Sequence, residues 1–160
     1  WLLCLLLVWL NWQATLIVFL LPLLISRALM MMGNWAQHAF IDPTEPGNPY
    51  RNSITCINSA YNHQCFNDGY HIGHHLKPNL HWTEHPAYFL ANQPQYVHHR
   101  AIVFEGIDYF MIFLFLMFKR YDRLAHHFVN LDNVYQSSEE VIALLKERTQ
   151  KIGFVTYPSE

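Results

Sequence analysis

Ala14-Thr15-Leu16-Ile17-Val18-Phe19-Leu20-Leu21-Pro22-Leu23-Leu24-Ile25-Ser26-Arg27-Ala28-Leu29-Met30-Met31-Met32 is the stretch from which the architecture is read. Its single charge is Arg27, and it fills the window of about 19 apolar residues that a membrane-spanning helix needs. The apolar character begins earlier, at Trp1, and is broken mainly by Asn11 and Gln13. As one straight helix, Trp1 to Met32 would be about 48 Å long, well beyond a hydrocarbon core of about 30 Å. The expected division is a tight turn at Asn11-Trp12-Gln13, with the end of one truncated span before it and a full span after it. Trp9 and Trp12 then sit at the interface, and Pro22 kinks the second span without ending it. The run opens on Trp1 with no basic n-region and no small-residue cleavage site, so it reads as a fragment whose upstream part is missing, not as a signal peptide. A buried hairpin of a water-soluble protein is the competing reading, and the length of the run disfavours it.

Composition agrees with a lipid environment. Charged residues make up 14% of the 160-residue chain, against roughly 25% in an ordinary globular protein. The 10 basic and 12 acidic side chains nearly cancel, so no basic field exists to hold nucleic acid. Cys4, Cys56 and Cys65 form no Cys-x-x-Cys pair and are odd in number, which suggests neither a zinc knuckle nor a disulfide framework. A reducing, cytosol-facing environment fits, as does the absence of any Asn-x-Ser/Thr acceptor.

Downstream of the span, Asp42-Pro43, Glu45-Pro46-Gly47 and Asn48-Pro49 mark a surface excursion. A short helix is predicted from about Ser53 to His71. A second apolar stretch, 101–118, carries Glu105 and Asp108, and a central acid costs about 2.5–3.5 kcal/mol in a spanning helix. That stretch is therefore expected to be an interfacial or core-packed helix. Lys119, Arg120 and Arg123 follow it as a basic cluster suited to anionic headgroups, and the positive-inside tendency puts Arg27, Arg51 and Lys77 on the same face. Ser137 and Glu140 have capping-box spacing and open a helix over 137–151, apolar on the face of Val141, Leu144 and Leu145. The fold class expected is all-α: a membrane hairpin over 1–33 and a cytosolic helical cap over 34–160.

Eleven histidines are the anomaly of the composition, and they cluster. In Asn67-Asp68-Gly69-Tyr70-His71-Ile72-Gly73-His74-His75, positions i, i+3 and i+4 of a helix share a face, so His71, His74 and His75 converge like metal ligands. Imidazole suits iron, copper, zinc and nickel, so spacing alone does not name the metal. A second histidine, His38, lies in Gly33-Asn34-Trp35-Ala36-Gln37-His38 at the exit of the span. On the predicted helix His63, Asn67 and His71 would share a face, which makes His63 a less certain ligand and Asn67 a residue that holds a ligand or a water. Asp68 and Glu84 are the nearest carboxylates and are expected to orient imidazoles by accepting the second ring N–H. Pro78 and Pro86 argue against one helix through His81 and His85, which are expected at the site rim. His98, His99, His126 and His127 are expected at the surface.

The Asn-Trp-x-Gln-His segment, the His-x-x-His-His box and the span before them resemble the membrane fatty-acid desaturase and alkane hydroxylase superfamily, over about Ala14 to Pro86. The resemblance implies a four-span helical fold with two non-haem iron ions held on the cytosolic side by eight or nine histidines. On the matching positions His71, His74 and His75 look like the last histidine box, and His38 like the isolated ligand before it. The two earlier boxes are absent, so this chain is not expected to bind two irons alone or to be active alone. Gly69-Tyr70 before the box is more similar to desaturases, sphingolipid-type ones in particular, whereas Asn34-Trp35-x-Gln37-His38 is equally reminiscent of hydroxylases. The resemblance implies O2-dependent attack on an unactivated C–H bond of a fatty-acyl lipid or acyl-CoA. Electrons would come from cytochrome b5 or ferredoxin through an NAD(P)H reductase, in the endoplasmic reticulum or a bacterial inner membrane. Phe110, Phe113 and Phe115 are expected to wall the acyl channel. A hydroxylase using the same site is the nearest rival. A membrane zinc hydrolase is weaker, since no His-Glu-x-x-His motif is present, and a non-catalytic relict also stays open.

Overall fold

A computed structural model of the protein describes residues 1–151. Residues 152–160 of the expected cap lie outside the described residues.

The apolar N-terminal run is helical from Leu2 to Gln37, the one stretch among the described residues long and apolar enough to cross a membrane. Its first part, α1 (Leu2–Thr15), is broken at Asn11, whose backbone is extended (φ −159, ψ 93). The Asn11 side chain then accepts from the Ala14 N–H at 3.0 Å, as an N-cap does, so helix formation restarts there. A π-helical turn, Leu16–Leu20, leads into α2 (Leu21–Gln37). Pro22 sits in the first turn of α2, where its missing N–H does least harm, and the wide turn before it takes up the misfit. The side chains of this run are largely exposed.

Beyond His38 the chain builds a small body. In order come α3 (Pro49–Asn52), β1 (Ile54–Ile57), α4 (Ala60–Gln64), α5 (His71–Leu76), α6 (His85–His98), β2 (Ile102–Glu105), α7 (Tyr109–Met117), α8 (Tyr121–His127) and α9 (Ser138–Glu147). The strands pair in parallel, Ile54 opposite Ile102 and Ile57 opposite Glu105. The described residues are mostly helical, as expected, and these two short strands are a local departure from the all-α expectation. The short β-branched runs Ile54-Thr55 and Ile102-Val103 are cut off by left-handed residues, Asn58 (φ 51) after the first and Arg100 (φ 50) before the second. Neither run is long enough to propagate a helix, and buried parallel strands need no polar alternation. The predicted helix over 101–118 is accordingly a strand followed by α7, with Asp108 accepting from the Met111 N–H as N-cap. The predicted helix from Ser53 to His71 is likewise replaced, by β1, α4 and a turn.

The sheet separates two cores. Ile54, Cys56, Ile102 and Phe104 face one, with Ala36, Phe40, Ile112 and Leu145. Val103 faces the other, with Tyr70, Ile72, Phe89 and Tyr96. The alternation along β2 is the two-residue period of a strand buried on both sides. α7 packs along the end of α2, with Trp35 edge-on to Phe113 at 5.8 Å. α9 is shorter than the helix predicted over 137–151. It begins where expected, Ser137 accepting from the Glu140 N–H, and it buries Val141 and Leu145. It is tied to the exit of the span by the buried Arg148, which donates to the Phe40 carbonyl and to the Arg51 carbonyl. Asp42 accepts from Thr44 and from Arg51, which together hold its carboxyl down at about 2, and it lies 3.9 Å from Arg148.

Candidate metal centre

His38 is the first residue past α2, where the backbone leaves the helical region (φ −122, ψ 22). Its Nδ1 lies 2.9 Å from the Asn52 carbonyl oxygen, which can only accept, so the ring proton sits on Nδ1 and Nε2 presents a lone pair. His71 and His75 come from the first and fifth positions of α5, one helical turn apart, and their Nε2 atoms are 3.1 Å from each other. The His38 Nε2 lies 3.1 Å from the His71 Nε2 and 3.4 Å from the His75 Nε2. Three imidazole nitrogens thus form a closed triangle.

Hydrogen bonds cannot close it. With its proton on Nδ1, His38 brings no hydrogen to the triangle, and each of the other two neutral rings can bring at most one. At least one of the three edges is left with two lone pairs or two N–H groups in opposition. A cation among the three lone pairs removes the conflict. Nitrogens bound to one ion at about 2.1 Å, at angles of roughly 90–109°, lie roughly 3.0–3.4 Å apart. The residues present therefore fit a metal ion. Electrostatics favours the ligand state as well: burial, then His75, His38 and His74, holds His71 down at about 3, and burial with the same neighbours lowers His75. His71 and His75 are thereby kept in the neutral form that a metal needs. The Nδ1 of His71 is buried without a hydrogen-bond partner among the described residues.

His74 stands outside the triangle. Its exposed ring lies 5.8 Å from that of His71 and 5.9 Å from that of His75, centroid to centroid. His63 is exposed on α4, and the turn between α4 and α5, with Phe66 and Asn67 left-handed (φ 51 and 54), destroys the helix face it was expected to share with Asn67 and His71. The Asn67 side chain donates to the Trp82 carbonyl instead. Asp68 takes no hydrogen bond from an imidazole: its Oδ2 accepts from Gln37 Nε2 at 3.0 Å and from the Tyr61 hydroxyl at 2.7 Å. Burial and that bond to Asp68 raise the Tyr61 pKa, so it stays a donor. Glu84 is exposed in a 3-10 turn, Trp82–Glu84, and α6 starts after it with Pro86 in its first turn. His85 is not a rim residue, being buried against Gly73, whose absent Cβ would lie 3.1 Å from the His85 Nδ1.

A cavity of about 740 Å³ is lined by Leu29, Met30, Met31 and Phe110 together with Gln37, the residue before His38, and Asp68; no histidine of the triangle lines it. Of the three phenylalanines expected there, Phe113 and Phe115 pack against the core instead. Sequence reading missed Asn52, Tyr61 and Tyr109. Asn52 acts through its backbone carbonyl, which leaves no mark in a sequence.

The sequence profile described as fatty acid desaturase matches residues 1–107. The chain belongs to the fatty acid desaturase family. No curated protein and no solved structure matches it. Fatty acid desaturases are membrane oxidoreductases that act on fatty-acyl chains and generally use a di-iron centre. The matched part contains the long apolar helix, His38 and the whole box, and it ends just before α7.

Proposed function

We propose that the chain forms the downstream part of a membrane desaturase that uses O2 to remove two hydrogens from a fatty-acyl chain at a non-haem di-iron site. The observation that supports this reading is the triangle of Nε2 atoms that hydrogen bonds cannot close. His38, His71 and His75 would hold one iron, while His74 would serve the second together with histidines from upstream segments; His63 has no place in this set. The iron supplies an oxidant able to break an unactivated C–H bond, which side chains cannot generate. Burial keeps His71 and His75 neutral, the Asn52 carbonyl holds the Nδ1 proton of His38, and the cavity lined by Leu29, Met30, Met31 and Phe110 would take an acyl chain and keep water out. Forming one alkene while O2 goes to two waters requires two further electrons, for which cytochrome b5 or ferredoxin, fed by an NAD(P)H reductase, is the donor.

Mass spectrometry of lipids from cells expressing the complete enzyme with its donor tests the reaction. Products lighter by two hydrogens are expected. Products heavier by one oxygen, with no new double bond, would make the enzyme a hydroxylase and leave the metal reading standing.

The run Leu2–Gln37 is proposed to fix the chain in the endoplasmic reticulum or a bacterial inner membrane, with the histidines on the cytosolic face that the basic residues Arg27, Arg51 and Lys77 favour. Alkaline carbonate washing is expected to leave the protein in the membrane pellet. Recovery as a stable, monodisperse species in the supernatant would contradict this placement.

A further inference from the structure

The triangle draws its ligands from two separate pieces of chain, His38 at the end of α2 and His71 with His75 on α5. Something must set the gap between them. α5 has only six residues and α2 ends in a non-helical residue, so neither element fixes the other by its own backbone. The residue before His38 is Gln37, the last of α2 and buried, and its side chain reaches 31 positions along the chain to Asp68, three residues before His71. Asp68 is held in its turn from several sides. Its carboxylate takes the Tyr61 hydroxyl, its N–H donates to the Cys65 carbonyl, and its own carbonyl accepts from the Tyr109 hydroxyl at 3.1 Å. Tyr109 also donates to the Gly69 carbonyl at 2.9 Å, and burial raises its pKa, which keeps the phenol protonated.

We infer that Asp68 is a positioning residue, a strut that through Gln37 and Tyr61 sets the distance between His38 and the His71/His75 pair. This rests on the metal reading above. Both donors converge on one oxygen, Oδ2, so the strut needs an acceptor at that place more than it needs a negative charge. Among the described residues the Asp68 carboxylate accepts from Gln37 and Tyr61 and not from a ligand ring, which separates this role from the usual one of accepting a ligand's second N–H. Loss of the strut should act on the metal through ligand spacing.

The test is cobalt(II) titration of the full chain in detergent, followed by the d–d absorption of the bound ion. Removing groups that support metal ligands costs roughly 10–100-fold in affinity. Asp68→Ala is expected to weaken cobalt binding about tenfold or more and to alter the absorption bands, because the ligand triangle opens. Asp68→Asn, which keeps an oxygen acceptor, is expected to stay within about threefold of wild type with unchanged bands. Gln37→Leu should resemble Asp68→Ala, and the double variant should lose no more than the worse single one, since both remove the same contact. Wild-type affinity in Asp68→Ala, or losses that add in the double variant, would overturn the strut. If the wild-type chain takes up no cobalt, the metal reading fails, and the strut is then judged on the metal-free protein. There, amide exchange over His71 to Leu76 must rise in Asp68→Ala and not in Asp68→Asn; equal exchange in all three would overturn it.

Discussion

Replacing His71 with Ala in the complete enzyme is expected to reduce activity below about one hundredth of wild type and to lower bound iron, because even support residues around a metal cost roughly 10–100-fold when removed. His71 is the vertex from which both other nitrogens are 3.1 Å away, and it is the most buried of the three rings. Without it His38 and His75 remain at 3.4 Å as two ligands from separate elements, with a hole where the third stood. His38→Ala and His75→Ala should match it. His74→Ala should also stop turnover, yet leave cobalt binding by this chain alone nearly unchanged, since its ring is outside the triangle. His126→Ala and His127→Ala are the controls. They lie on α8, and among the described residues their side chains make one polar contact, that of His127 Nδ1 with the Glu105 carbonyl, so activity should persist. Wild-type activity and full iron content in His71→Ala would remove the basis of the proposed centre.

How far such a site can be read without coordinates depends on what each residue does. The i, i+4 spacing of His71 and His75 was enough to place their two rings side by side, because one helical turn suffices to bring them together. His38 was marked by its neighbours, and its lone pair by nothing, since the tautomer follows from a backbone carbonyl at Asn52. His74 illustrates a limit of periodicity: i+3 and i+4 share a face broadly, but nitrogens must meet within about 3.4 Å, and on α5 the i+4 ring does so. The helix imagined from Ser53 to His71 failed for a different reason. Its middle holds Phe66 and Asn67 in left-handed conformations that let the chain turn back under the box, and no pattern of apolar residues announces that. The strands were hidden because each is four residues long, too short for a period to be counted, and their partners are 48 positions apart. The long apolar helix was the easiest part, as hydropathy over many residues outweighs any local exception.

Gly69→Ala is expected to destabilise the protein by about 3 kcal/mol or more, read as a large drop in the melting temperature of the detergent-solubilised chain. Gly69 lies between Asp68 and the box, and a Cβ built on it would sit 2.1 Å from the Asn62 Oδ1 and 2.5 Å from the Cys56 carbonyl oxygen. Neither neighbour can yield. The Asn62 Oδ1 accepts from the Gly69 N–H at 2.9 Å, while the Asn62 Nδ2 donates to the Cys56 carbonyl at 2.8 Å, so one side chain is fixed at both ends. Cys56 is a central residue of β1, and its N–H donates to the Gly69 carbonyl at 2.7 Å. Making room for a methyl group therefore means moving the turn off the strand. Overpacking a tight site costs about 1–3 kcal/mol, and each buried hydrogen bond stretched in the process adds about 1 kcal/mol. The damage should not stop at stability. Tyr109 reaches the same carbonyl, and α5 starts two residues later, so any shift at Gly69 is passed to His71. The Ala variant should consequently bind cobalt more weakly even at temperatures where it remains folded. Asn62→Ala in the same background gives the decisive comparison: it removes the clashing oxygen and should restore part of the lost affinity. Unchanged melting and unchanged cobalt binding in Gly69→Ala would mean that the turn is not seated on β1 as described.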